Sequence, residues 1–128
     1  MQPEAPLSAQ VLSLFSAPRH AGKPESGKYH HGEGGAVARG SLIELWLAQT
    51  AGRISSARFE AFGCPATIAC AEWLCRWLIE RDVAAAQDLS GLTLAEALDL
   101  PAAKRAVALV AEDALKMALS AAEESVAG

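Results

Sequence analysis

An α+β fold, a small antiparallel sheet of about three strands covered by helices in two layers, is what this 128-residue sequence predicts. Three observations carry the prediction. Two adjacent runs, LIELWLA and RISSARFEAF, alternate in polarity on either side of a TAGR turn, which signals an antiparallel hairpin with one wet face. The charged residues that follow, Glu72, Arg76 and Glu80, recur every fourth position in an otherwise apolar stretch, as on a helix buried nearly all round. The composition, just over half apolar with much alanine, leans towards helix.

Taken in order, Ser8 is placed to cap a short helix AQVLSLF, which ends at the polar break at Ser16 before Pro18. Residues 19–40 are rich in Gly, Lys, Glu and His and read as a loop with one poor strand over 28–34. In the strand 42–48, Ile43, Leu45 and Leu47 face one way while Glu44 and Trp46 face the other. In RISSARFEAF the inward set is Ala57, Phe59 and Ala61, with Ser56, Arg58 and Glu60 outward. Gly63 ends that strand, and Cys64 and Pro65 open a helix running to about residue 81, proline being suited to the first helical position. Glu72, Arg76 and Glu80 are expected as a salt-bridged stripe, and the helix as the central one, packed on the sheet beneath other helices. Thr93 and Glu96 fit a capping box for TLAEALDL. Pro101 then starts a last helix to about residue 122, with Glu112 and Lys116 paired outside and Val107, Val110, Ala114 and Met117 available to the core. The whole chain, 1–128, reads as one domain without internal repeats.

The net charge of −4 and the lack of a Lys/Arg-rich run argue against nucleic acid and anionic membranes as partners. No apolar run approaches the ~20 residues of a membrane span, and MQPEAPLS lacks the basic start and apolar run of a secretion signal, so the expected compartment is the cytoplasm. There, three cysteines read as free thiols.

All three lie in FGCPATIACAEWLC. On a continuous helix Cys70 and Cys75 would be ~140° apart around the axis and ~7.5 Å apart along it, and Cys64 and Cys70 ~9 Å apart in rise. Sulfurs sharing one metal ion must converge to within ~4 Å, so the three do not form a local metal nest. Cys70 and Cys75 are expected as small buried hydrophobes. Cys64 differs, because at a strand-to-helix junction free helix amides favour a thiolate. Geometry alone leaves it a nucleophile, a persulfide carrier, a metal ligand or a turn residue. His30 and His31 would point to opposite faces of a strand and cannot chelate together within it, although either could join a zinc site with Cys64. His20 is expected to be solvated, and Trp73 and Trp77, one turn apart, to serve core or interface.

Four stretches in register resemble the iron–sulfur cluster scaffold family, the IscU proteins and the N-terminal domain of NifU. SAPRHAG (16–22) is similar to the family's N-P-R-N-x-G, and ARFEAFGCPATIA (57–69) to A-R-F-K-x-Y-G-C-x-x-x-I-A, which bears a ligand cysteine. LPAAK (100–104) resembles L-P-P-V-K, and LVAEDALKMAL (109–119) the following L-A-x-D-A run. The resemblance covers about 12–119. It implies a scaffold working in iron–sulfur cluster assembly rather than an enzyme, on a fold shared with the SufE sulfur acceptors.

The departures fall on the ligands. VARGS stands where the family has P-A-C-G-D, so Arg39 replaces a ligand cysteine and Ser41 an aspartate. KRAVA stands where it has K-x-H-C-S, so Ala106 and Val107 replace histidine and cysteine. Cys64 alone remains, and a [2Fe–2S] cluster ordinarily takes four protein ligands. Three readings follow from the resemblance: a variant scaffold binding iron or cluster through Cys64 and other ligands, a SufE-like persulfide acceptor for a cysteine desulfurase, or a metal-free interaction or regulatory paralogue. In the last, Leu100, Pro101 and Lys104 keep the surface that a dedicated chaperone grips. Arg39, if it lies beside Cys64, would stabilise a thiolate or persulfide and repel ferrous iron.

Overall fold

A computed structural model describes the backbone of residues 7–127 and the side chains of 7–122. Helix α1 (Ala9–Ser16) precedes a three-stranded antiparallel sheet in the order β1 (His30–Ala36), β2 (Ser41–Thr50), β3 (Arg53–Phe62). Four helices follow: α2 (Pro65–Leu78), the single turn α3 (Val83–Ala86), α4 (Gly91–Ala97) and the long α5 (Arg105–Ala127). The expected two-layer α+β architecture is present. Ile43, Leu45, Leu47, Ile54, Ala57 and Phe59 turn inward from the sheet to meet α2 and α5, and that interface is the core.

Why β1 reads so poorly as a strand is visible in its contact with α5. Gly32 and Gly34 are buried and face that helix, and a Cβ on Gly34 would sit 2.1 Å from the Val110 carbonyl oxygen. A Cβ on Gly32 would stand 2.2 Å from that of Ala114. Only glycine lets the two backbones approach this closely. The helix meets it with alanine: Ala108, Ala111, Ala114 and Ala118 are fully buried. Much of the alanine excess therefore serves close packing.

On β3 the buried residues run Ile54, Ala57, Phe59, a spacing that strict alternation forbids. A bulge near Ala48 and Gln49, where Ala48 pairs with Ser56 but Gln49 with Ile54, restores the inward phase. Ser8 caps α1 as expected, its hydroxyl accepting from the Val11 amide. Helix α2 is central, against α1, β3 and α5, but it ends at Leu78 and not at about 81. The chain there turns out to the sheet: the Glu80 amide donates to Ile54 O at 2.7 Å, the Ile54 amide donates to Arg81 O, and Glu80 takes a φ of 71°. Glu80 is thus off the helix and outside the expected stripe.

Three more expectations are corrected. The cap of α4 is Ser90, whose hydroxyl accepts from the Thr93 amide, so Thr93 lies inside the helix. Met117 is 49 % exposed because the buried stripe of α5 runs through Val107, Ala111, Ala114, Leu115, Ala118 and Ala122 and passes it by. Glu112 and Lys116 each bond elsewhere: Glu112 accepts from the Gly91 amide at 2.6 Å, and the Lys116 ammonium donates to the Gln87 carbonyl. Both tie α5 to the segment around α4. No helix among the described residues is long and apolar enough to cross a membrane.

Candidate functional site

Cys64 is the N-cap of α2, held by the junction that precedes it. Gly63 has a φ of 145°, and a Cβ there would lie 2.6 Å from the Thr67 hydroxyl, so the strand can enter the helix this tightly only through glycine. Pro65 opens the helix, as the sequence predicts. The sulfur faces the first turn: Cys64 Sγ is 3.7 Å from Thr67 Oγ1, which lies 3.2 Å from the Ser41 hydroxyl. Ser41, at a substituted ligand position, thus reaches Cys64 through a hydroxyl chain.

Cys64 is half-buried and opens onto a cavity of about 360 Å³ lined by Leu7, Pro65, Pro101, Ala102, Ala103 and Lys104. The segment resembling a partner surface and the thiol are therefore one site. Leu100 is buried beneath it, while Pro101 and Lys104 line the opening. Burial pushes the Cys64 thiol up, but the Thr67 hydroxyl, the Thr67 and Ala66 amides and the Lys104 ammonium outweigh it, and the net shift is downward. The other two thiols go the opposite way. Burial, with a smaller contribution from Cys64, pushes Cys70 up to about 12. Burial and the Glu72 carboxylate push Cys75 well above the ordinary thiol range.

Arg39 is not the cation that acts on Cys64. A short 3-10 turn, Val37–Arg39, carries it to an adjacent cavity of about 290 Å³, shared with Ser41, Ala106, Val107 and Asp113. The substituted ligand positions thus gather around one hollow with no sulfur or imidazole in it. Sequence reasoning missed Lys104 as the charge partner because the contact joins residues 40 apart. Its one legible signal was the lysine closing LPAAK.

His30 and His31 are not near Cys64. They start β1, five or six residues from the Ala36–Ser41 end where Cys64 lies, or about 17–20 Å along the sheet. His30 faces inward opposite Leu47, and His31 faces outward. Among the described residues the group of three or more His, Cys, Asp and Glu side chains close enough to share an ion is His31, Glu33 and Glu44, and Cys64 is not in it.

In a second polar cluster the expected Glu72–Arg76 ion pair forms, but around a buried carboxylate, and His20, expected to be solvated, joins it. Glu72 is fully buried. It accepts from the Arg19 and His20 amides at 2.7 and 2.8 Å, from His20 Nδ1 at 2.7 Å and from Arg76 Nε at 2.6 Å. These donors overcome burial, which would raise its pKa, and lower it. His20 is thereby drawn out of solvent to clamp the loop that carries the SAPRHAG stretch. Trp73 and Trp77 stack at 6.2 Å and are partly buried, with Arg81 over Trp77.

A small antiparallel sheet under helices, with a helix opening straight off the last strand, is the iron–sulfur scaffold fold. The chain belongs to the NifU-like N-terminal domain family, whose model matches residues 7–127. It is 32 % identical over 116 residues to the iron–sulfur cluster assembly scaffold protein IscU of Buchnera aphidicola, covering 88 % of this chain and 91 % of that one. The Escherichia coli protein of the same name is 31 % identical over the same shares. The fold is also that of a SUF-system scaffold from Fervidobacterium islandicum, with a TM-score of 0.69 at 16 % identity, covering 88 % of this chain and 95 % of that one.

Proposed function

We propose that this chain is a scaffold-type protein of iron–sulfur cluster assembly, working in the cytoplasm, which handles sulfur at Cys64 instead of holding a cluster on a full ligand set. The observation that carries this reading is the contrast among the family ligand positions. Cys64 offers a thiol shifted towards thiolate at a cavity mouth, while Arg39, Ala106 and Val107 offer no donor for iron.

In the proposed step, the Cys64 thiolate attacks the outer sulfur of a persulfide on a cysteine desulfurase. A new S–S bond forms on Cys64, the donor's S–S bond breaks, and the donor cysteine leaves as a thiolate that takes up a proton. One sulfur atom changes hands without net oxidation. Lys104 and the helix amides hold the resulting anionic persulfide, and Pro101 and Lys104 form the rim on which the desulfurase or a chaperone docks. Incubation with a desulfurase and cysteine should add one sulfur atom to Cys64 and none to Cys70 or Cys75, read by mass on each cysteine. Sulfur on the buried thiols, or on none, overturns it.

Family membership favours a second role, holding iron or a cluster shared with a partner through Cys64. Reconstitution with ferrous iron and sulfide would then give a charge-transfer band that Cys64→Ser removes. A colourless protein rules that role out.

A further inference from the structure

The outer face of the sheet carries a ligand set unrelated to the thiol. The register places Glu33 opposite Glu44 and Glu44 opposite Glu60, a row of three carboxylates straight across the sheet. Like charges directly opposite on one face destabilise a sheet. Two nearby cations make their contacts elsewhere: Arg58 donates to the Ala21 and Gly22 carbonyls, and the Lys23 ammonium stands over the Trp46 ring, 5.9 Å from its centre. One row along, His31 lies opposite Trp46, with ring centres 5.0 Å apart, and its Nε2 is 3.3 Å from Glu44 Oε1.

The geometry points to a binding site for a first-row divalent transition-metal ion, held by His31 Nε2 and the carboxylates of Glu33 and Glu44. One atom from each lies within 4.8 Å of the others. Ligands at ~2.0–2.2 Å from an ion sit roughly 3–4 Å apart, so small side-chain rotations close the set. The imidazole sets this group apart from an acidic patch. Its neutral nitrogen binds zinc, cobalt or ferrous iron, whereas calcium and magnesium call for oxygen alone. The backbone is fixed behind the ligands, because Gly32 and Gly34, alternating with His31 and Glu33, are pressed against α5. The Trp46 ring packs beside the imidazole, tilted by 33°. Glu60 stands outside the set and adds negative field. The ion would replace carboxylate repulsion across β1 and β2 with shared coordination.

The site does not depend on Cys64, and the test keeps the two apart. The full chain with reduced thiols is titrated with zinc by calorimetry and with cobalt by absorption. One ion per chain is expected, with cobalt giving weak ligand-field bands and no thiolate charge-transfer band. His31→Gln and Glu33→Gln should each weaken zinc more than about tenfold, and Cys64→Ser should leave it unchanged. Saturating zinc should raise the unfolding midpoint of the parent but not of His31→Gln. Absence of binding, binding indifferent to His31, equal competition by magnesium, or loss in Cys64→Ser would each overturn the proposal. Glu44→Gln gives an independent reading: without metal it should raise the unfolding midpoint by relieving the row, and a lowered midpoint counts against the repulsion invoked here.

Discussion

Helix α2 carries two polar sites about 12 Å apart along its axis, and they differ in how completely their atoms are used. At Glu72 four hydrogen bonds converge on a carboxylate with no exposure, so the charge is spent on holding the loop before β1. At Cys64 a half-open sulfur faces helix amides, one hydroxyl and an ammonium, yet keeps one side free on a cavity. A buried, saturated charge cannot meet a ligand. A thiol whose ionised form is favoured and which keeps an open side can, and the same helix provides both.

The widest consequence is a split in thiol reactivity. At pH 7 a thiol with a pKa of about 12 is ionised to roughly one part in 10⁵, and one at or below the ordinary range to at least about one part in 10². Cys64 should therefore be alkylated by iodoacetamide at least about 10³-fold faster than Cys70, and Cys75 should be slower still. Peptide mass mapping over time checks this, and rates within tenfold of one another would erase the contrast between the helix end and its body. Next in size is Glu72→Ala, which strands His20 and Arg76 and should cost about 3 kcal/mol in urea unfolding. The Cys64 alkylation rate of the folded protein should be unchanged. A matching fall in that rate would mean that the two sites are coupled.

How far the sequence revealed all this depended on the range of the forces involved. Strand β2 and the helix opening at Pro65 were legible because alternation and proline act locally. Strand β1 was faint because the demand for Gly32 and Gly34 comes from α5, some 80 residues away, and leaves no apolar signal. The phase of Ile54 was hidden by a bulge that only pairing reveals. At the thiol, the junction Gly63–Cys64–Pro65 could be read directly. The identity of the cation could not: the family resemblance puts Arg39 at a ligand position, but the 3-10 turn carries it to another hollow. The Glu72–Arg76 pair was legible but its depth was not, because i, i+4 spacing fits an exposed pair and a buried clamp equally, and the loop that buries Glu72 lies 52 residues back.

Acid should separate the sites again. Glu72 has a folded pKa below its unfolded one, so the stability it contributes is fully present above the unfolded value of about 4.5 and is lost as pH falls through the folded value. Urea midpoints should therefore drop more steeply below pH 4.5 in the parent than in Glu72→Gln, while Cys64→Ser follows the parent. Parallel profiles for parent and Glu72→Gln would place the acid sensitivity elsewhere.

The smallest effect is the most informative about the open site. Lys104 ranks last among the influences lowering the Cys64 pKa, behind the Thr67 hydroxyl and the two amides. Removing its charge in Lys104→Gln should raise that pKa slightly, slowing alkylation at neutral pH about two- to threefold and leaving the plateau rate at high pH unchanged. Thr67→Val, which removes the hydroxyl, should slow it more. If Lys104→Gln slowed the reaction more than Thr67→Val did, the ammonium and not the helix end would govern the thiol, and Cys64 would owe its chemistry to the LPAAK rim more than to its place on α2.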